Sequence, residues 1–213
     1  MIKAILFDND GVLVDTEPLY CTSYIEALAH FGITITPEFY LAYWTRAGKS
    51  ITDFIVEHRL SISLDDVRKL KNRILHEKFK TELRVYDGVH EKLAELSKAY
   101  PLGLVTSSYQ TEVNAILDIT WLRKYFQAVI TRDDVSASKP DPEGFLKGAQ
   151  ALSVSPLDAI VIEDAEKGIK AAVGAGMRAI AIPNAYTKDN DFSLAYKVIG
   201  SIRELTVDLL SGM

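Results

Sequence analysis

The chain has 213 residues, of which 48% are hydrophobic and 25% charged, with a formal net charge of −5. This balance excludes an intrinsically disordered chain, because there is ample apolar material to offset the entropy of ordering. The net negative charge makes nucleic acid a poor partner. One cysteine, Cys21, excludes intramolecular disulfides and cysteine-rich metal sites and fits a reducing cytoplasm. No apolar run approaches the length of about 20 residues that a membrane helix needs. The opening MIKAILFDND reads as a buried strand running into acids rather than as a signal peptide.

The elements fall into two textures. Short apolar runs occur at 2–7, 102–106, 127–131, 159–163, 179–183 and, weakly, 196–200. Helical patterns lie between the later runs, at 88–99, 111–119, 142–152 and 165–175. Buried runs joined by crossover helices predict an α/β fold, a doubly wound parallel sheet covered on both faces. Residues 16–85 differ, with amphipathic helical patterns near 19–31, 38–45, 50–60 and 64–83 and no strand. On the last of these, Val67, Leu70, Ile74, Leu75 and Phe79 form the apolar face. This segment holds 10 Lys and Arg against 9 Asp and Glu, whereas the remainder holds 14 against 20. The expected organisation is therefore a core of 1–15 plus 86–213, with a small helical domain, 16–85, inserted after the first strand.

In doubly wound folds ligands bind beyond the carboxyl ends of the strands, so the residues there matter most. The first run ends in Asp8, Asn9, Asp10 and Gly11. Two carboxylates at the end of a buried strand are costly unless a cation or proton compensates them. Gly11 lets a ligand approach the backbone. The second run ends in Thr106, Ser107 and Ser108, which suit either an anion site or a simple N-cap for the following helix. Lys139 is followed by prolines at 140 and 142, a rigid mounting at a strand–helix junction. The fourth run ends in Glu163 and Asp164, where helix capping is the alternative for Asp164. Four acids, one lysine and a hydroxyl cluster at the ends of parallel strands suit a hard cation, Mg²⁺, and a phosphoryl substrate.

These motifs, 7-FDNDGVLVDTE-17, 104-LVTSS-108, 139-KPDP-142 and 162-IEDAEKGIKAAVGAGM-177, resemble those of the haloacid dehalogenase superfamily, in its phosphatase and phosphoglucomutase-like branch. The resemblance implies that Asp8 is the nucleophile forming an aspartyl-phosphate and that Asp10 is the acid/base. It implies Mg²⁺ held by Asp8, the carbonyl of Asp10 and Asp164, with Glu163 as a direct or outer ligand. Thr106 and the Ser107 amide would bind phosphate, Lys139 would stabilise nucleophile and phosphate, and the insertion would be a mobile cap. Asp10 argues against carbon–halogen cleavage and against a phosphonoacetaldehyde hydrolase. In the β-phosphoglucomutase pattern the cap carries an arginine for a second phosphate, where this chain has Gly48, Lys49, Ser50 and Ile51. Hydrolysis is therefore favoured over mutase chemistry, although Lys49 or Arg46 could substitute for that arginine. Tyr43, Trp44, Arg46 and Lys49 lie near the loop that would face the nucleophile and could contact a polar organophosphate; the alternative is that Trp44 packs in the cap core and Arg46 is solvated. The expectation is a monomeric cytoplasmic enzyme acting on a small phosphorylated metabolite, without nucleic acid or membrane partners.

Overall fold

The computed structural model describes residues 1–213, which divide into two compact units, Met1–Asp15 with Arg84–Met213, and Thr16–Leu83. The larger unit is built on six strands: β1 (Ala4–Phe7), β2 (Leu102–Val105), β3 (Ala128–Ile130), β4 (Ala159–Glu163), β5 (Arg178–Ala181) and β6 (Lys197–Val198). All neighbours are parallel, in the order β3-β2-β1-β4-β5-β6. The three central strands, β1, β2 and β4, are buried at every position, as their unbroken apolar runs require when helices cover both faces. On one face, Leu6, Val105 and Val161 pack with Phe145, Ala149, Ile169, Ala171 and Ala172. Truncating the fully buried Phe145 to alanine would cost about 3–5 kcal/mol.

The connections move outward in one direction from β1 through β2 to β3, then restart at β4 and run the other way. The loops after β1 and β4 therefore diverge and leave a crevice at this switch point. Register sharpens its location. Phe7 pairs with Leu104 on one side and Ile162 on the other. The next row across the sheet is thus Val105, Asp8 and Glu163. The Asp8 N–H continues the ladder by donating to the Ile162 carbonyl at 2.9 Å.

The smaller unit, Thr16–Leu83, contains α1 (Glu17–His30), α2 (Pro37–Tyr40), α3 (Ile51–Glu57) and α4 (Leu64–Glu82). Caps set where these helices begin. Thr36 accepts from Phe39 N–H, Ser50 forms a reciprocal box with Asp53, and Ser63 accepts from Asp66 N–H. The pattern near 38–45 becomes α2 followed directly by a π-helical segment, Leu41–Arg46. That wider winding accompanies an aromatic cluster in which Trp44 stacks on Tyr24 and Tyr40, with ring centroids 5.3 and 5.5 Å away. The apolar face of α4 also differs from the sequence pattern. Its buried row is Val67, Lys71, Leu75 and Phe79, at four-residue spacing, while Leu70 and Ile74 are half-buried. The Lys71 ammonium lies 5.1 Å from the Tyr20 ring centre and 5.4 Å from that of Tyr24, which makes its burial tolerable.

The smaller unit ends at Leu83, so Arg84 and Val85 belong to the larger one and not to the insertion as drawn from charge. The reason is pairing between the two crossing segments. Asp15 N–H donates to the Arg84 carbonyl at 2.9 Å, Tyr86 N–H to the Leu13 carbonyl at 3.0 Å, and Val14 bridges Val85.

Candidate active site

The site grows from the row Val105–Asp8–Glu163. Lys139 Nζ donates to all three: to Asp8 Oδ1 at 2.5 Å, the Val105 carbonyl at 2.8 Å and Glu163 Oε1 at 2.8 Å. An ammonium has three donors, and here each one has an acceptor. Lys139 Nζ also lies over the Phe145 ring, 4.8 Å from its centre. Only 6% of the side chain is exposed, so these ion pairs are poorly screened by solvent. A phosphate bond to Lys139 would have to share or displace one of these acceptors.

Glu163 is committed on its other oxygen as well. Oε2 accepts from Asp164 N–H at 3.0 Å and Ala165 N–H at 3.2 Å. It packs against α8 (Glu166–Gly174, after α5 at Val89–Leu96, α6 at Gln110–Ile119 and α7 at Glu143–Ala151), where a Cβ on Gly168 would lie 1.8 Å from Oε1. Glycine at 168 is thus required by the carboxylate. Asp164 is not the cap of α8, since Ala165 occupies that position.

Asp10 turns to the second strand end. Its Oδ2 accepts from Ser108 Oγ at 2.8 Å and from Thr106 Oγ1 at 3.2 Å, while Thr106 Oγ1 accepts from Ser108 N–H at 3.1 Å. Neither serine caps α6, whose N-cap is Tyr109. The hydroxyls instead hold the carboxylate. Ser107, between them, is half-buried.

Electrostatics follow from the low exposure. Burial above all, opposed by Lys139 and reinforced by Glu163 and Asp10, leaves the Asp8 carboxyl raised to about 7. Burial also raises Asp164 well above the usual carboxylate range, with Glu163 and Asp8 adding to the effect. For Lys139, burial opposes the charge, but Asp8 and Glu163 outweigh it and the ammonium is held above its ordinary value. Carboxylate oxygens of Asp8, Glu163 and Asp164 lie within 4.8 Å of one another. An all-oxygen donor set with more negative charge than Lys139 offsets fits a hard divalent cation such as Mg²⁺.

A family model described as haloacid dehalogenase-like hydrolase matches residues 5–182, which include every residue placed so far in the site. The chain belongs to this family. The haloacid dehalogenase-like chain is 34% identical over 183 residues to a phosphorylated carbohydrates phosphatase of Thermotoga maritima, covering 84% of each. It is 31% identical to the fructose-1-phosphate phosphatase YqaB of Escherichia coli, covering 84% of this chain and 95% of that one. Among solved structures, CbbY from Rhodobacter sphaeroides in complex with phosphate superposes with a TM-score of 0.88 at 26% identity, covering 99% of this chain and 100% of that one.

Within this haloacid dehalogenase-like core, the sequence-derived residues Asp8, Asp10, Gly11, Thr106, Ser107, Lys139, Glu163 and Asp164 gather around the ends of β1, β2 and β4. Arg46 and Lys49 lie in the helical unit and are exposed. Lys49 is engaged there: Nζ donates to Glu57 at 2.7 and 2.9 Å and lies over the Tyr43 ring, whose hydroxyl also donates to Glu57 at 2.8 Å. Cys21 is packed in the same unit, and burial pushes its thiol up to about 11.

Asn184 was missed. It follows β5 and donates from Nδ2 to Asp164 Oδ2 at 2.7 Å and to the Gly11 carbonyl at 3.2 Å. The signal that finds it is the strand-end rule itself, applied to the run at 179–183. The Val105 carbonyl was missed for another reason, since no side-chain pattern marks a backbone acceptor.

Proposed function

We propose that this protein is a Mg²⁺-dependent phosphatase of small phosphomonoesters, sugar phosphates foremost, acting through an aspartyl-phosphate on Asp8. The observation that carries this reading is the Lys139 clamp. It fixes one Asp8 oxygen against a buried row of the sheet, while the Thr106 and Ser108 hydroxyls independently tether a second acid, Asp10, two residues away. The relatives named as phosphatases of phosphorylated carbohydrates and of fructose 1-phosphate support the substrate class.

Asp8, the Asp10 carbonyl and Asp164 would hold Mg²⁺, with Glu163 behind them because both of its oxygens already have donors. When bound, the cation neutralises part of the charge of the carboxylates and of the phosphoryl oxygens. The chain's own groups account for the rest. The Asp8 carboxylate attacks phosphorus as the bond to the leaving oxygen breaks, and Asp10 donates a proton to that oxygen. Water then attacks the phosphorus of the acyl phosphate. Asp10 takes the water's proton, and phosphate departs as the Asp8 carboxylate is regenerated. Thr106, the Ser107 N–H and Lys139 orient the phosphoryl oxygens. The helical unit serves as the cap that selects the substrate, and Arg46 is a better contact for a polar organophosphate than Lys49, whose charge Glu57 offsets. That pairing also weighs against Lys49 as the second-phosphate clamp a mutase would need.

The test is phosphate release from a panel of sugar phosphates with Mg²⁺, with EDTA, and with Asp8→Asn. Release that requires Mg²⁺ and is abolished by Asp8→Asn is expected. No release from any substrate, or full activity in Asp8→Asn, would overturn the proposal. Conversion of β-glucose 1-phosphate to the 6-phosphate in the presence of a bisphosphate primer would assign the mutase reaction instead.

A further inference from the structure

We infer that Asn184 is a positioning residue for the cation: it holds the Asp164 carboxylate and the Gly11 backbone in the arrangement that receives Mg²⁺. The inference rests on the metal-dependent reading above and extends it to a residue outside the motifs. Three observations carry it.

The first is the orientation of the amide. Asn184 Oδ1 accepts from the Tyr186 N–H at 2.8 Å, two residues on, which is an Asx-turn. A backbone N–H can only donate, so the oxygen must face it and Nδ2 must face Asp164. The second is what Nδ2 joins. It reaches Asp164, after β4, and the Gly11 carbonyl, after β1, so one side chain ties together the two loops flanking the switch point. The third is the way Asn184 is itself held. Its own N–H donates to Thr187 Oγ1 at 3.1 Å, and the carbonyl accepts from Thr187 N–H and Lys188 N–H at 3.2 and 3.0 Å. The donor is thus mounted on a closed turn.

Gly11 shows how little slack the arrangement leaves. A Cβ there would come within 2.3 Å of Asp164 Oδ2 and 2.7 Å of Asn184 Nδ2. Groups that orient metal ligands from behind typically contribute about 10–100-fold to metal affinity or activity. The donated hydrogen bond fixes the direction in which Asp164 presents its other oxygen, and without it the carboxylate is free to rotate.

Asn184→Ala and Asn184→Ser separate this role from a structural one. Serine can keep the turn through its hydroxyl, but it is too short to reach Asp164. Isothermal titration of MgCl₂ into wild type and both variants, with circular dichroism as the check on folding, gives a readout independent of turnover. The expected result is a rise of about 10–100-fold in the Mg²⁺ Kd for both variants. The Mg²⁺ concentration giving half-maximal phosphate release should rise in step. If alanine does not fold, the serine variant alone decides. A Kd within about twofold of wild type in a folded variant would overturn the role of Asn184. Wild-type protein that binds no Mg²⁺ would overturn the metal reading itself and this inference with it, and the two failures are thus distinct.

Discussion

Replacing Lys139 with methionine removes the ammonium that joins Asp8 and Glu163 while keeping an unbranched side chain. Both carboxylates are buried, at 7% and 2% exposure, so water cannot take over the lost interaction. Removing one partner of a buried ion pair typically costs about 3–5 kcal/mol, a large part of the roughly 5–15 kcal/mol that stabilises a domain. The pH dependence has a definite sign. In the wild-type apo-protein the Asp8 carboxyl sits at about 7, against 3.8 for the ordinary group. Between those values the folded state keeps a proton that the unfolded chain releases, so stability falls as pH rises through the window. Lys139 pulls Asp8 down, and in Lys139→Met that pull is gone. The window therefore extends to higher pH, and the deficit relative to wild type grows from acid to alkaline solution. Urea unfolding of both proteins in EDTA, at about pH 5 and about pH 8, measures this. A deficit of at least about 3 kcal/mol is expected on the alkaline side and a smaller one on the acid side. A deficit below about 1 kcal/mol at the higher pH, or one that shrinks as pH rises, would refute the reasoning.

Gly11→Ala should damage both stability and metal binding. Its φ of +86° and the 2.3 Å approach to Asp164 leave no room for a methyl, and a loss of about 1–3 kcal/mol in urea unfolding is expected. Unchanged stability and Mg²⁺ affinity would mean that the turn relaxes freely. Inorganic phosphate should bind only after the cation, because the four acids Asp8, Asp10, Glu163 and Asp164 outnumber the one buried ammonium among them, that of Lys139. Calorimetric titration of phosphate should show binding with Mg²⁺ and none in EDTA, and equal affinity in both would exclude this charge argument.

Much of the site was legible because parallel strands announce themselves. A fully buried run must end where polar residues resume, and in a doubly wound sheet those ends lie together. Reading the residues after four such runs was enough to gather Asp8, Asp10, Thr106, Lys139, Glu163 and Asp164. Pairing was not legible. That Ser108 bonds to Asp10 rather than capping α6 depends on where two loops from different strands meet, which no local spacing encodes. Lys71 was hidden by a rule that is correct on average. Lysine at an apolar position normally signals a solvated face, whereas here two tyrosine rings accept the charge. The π-helical turn at Leu41–Arg46 departs from the 3.6-residue period on which helix reading depends.

The register of the sheet explains why stability and chemistry cannot be separated in this core. Phe7 opposite Leu104 and Ile162 places Val105, Asp8 and Glu163 in one row, and the acceptors of Lys139 are those three residues. The lysine thus closes the row immediately beyond the last paired residue of β1, across the switch point. A slip of one residue in β1 would put Phe7 or Asn9 in place of Asp8. It would leave an ammonium and a carboxylate buried without their partner, in addition to reversing the faces of the strand. The clamp therefore rejects wrong registers of β1 by the same contacts that fix the proposed nucleophile. A variant that keeps Asp8 but lacks the clamp should lose fold specificity and attack geometry together.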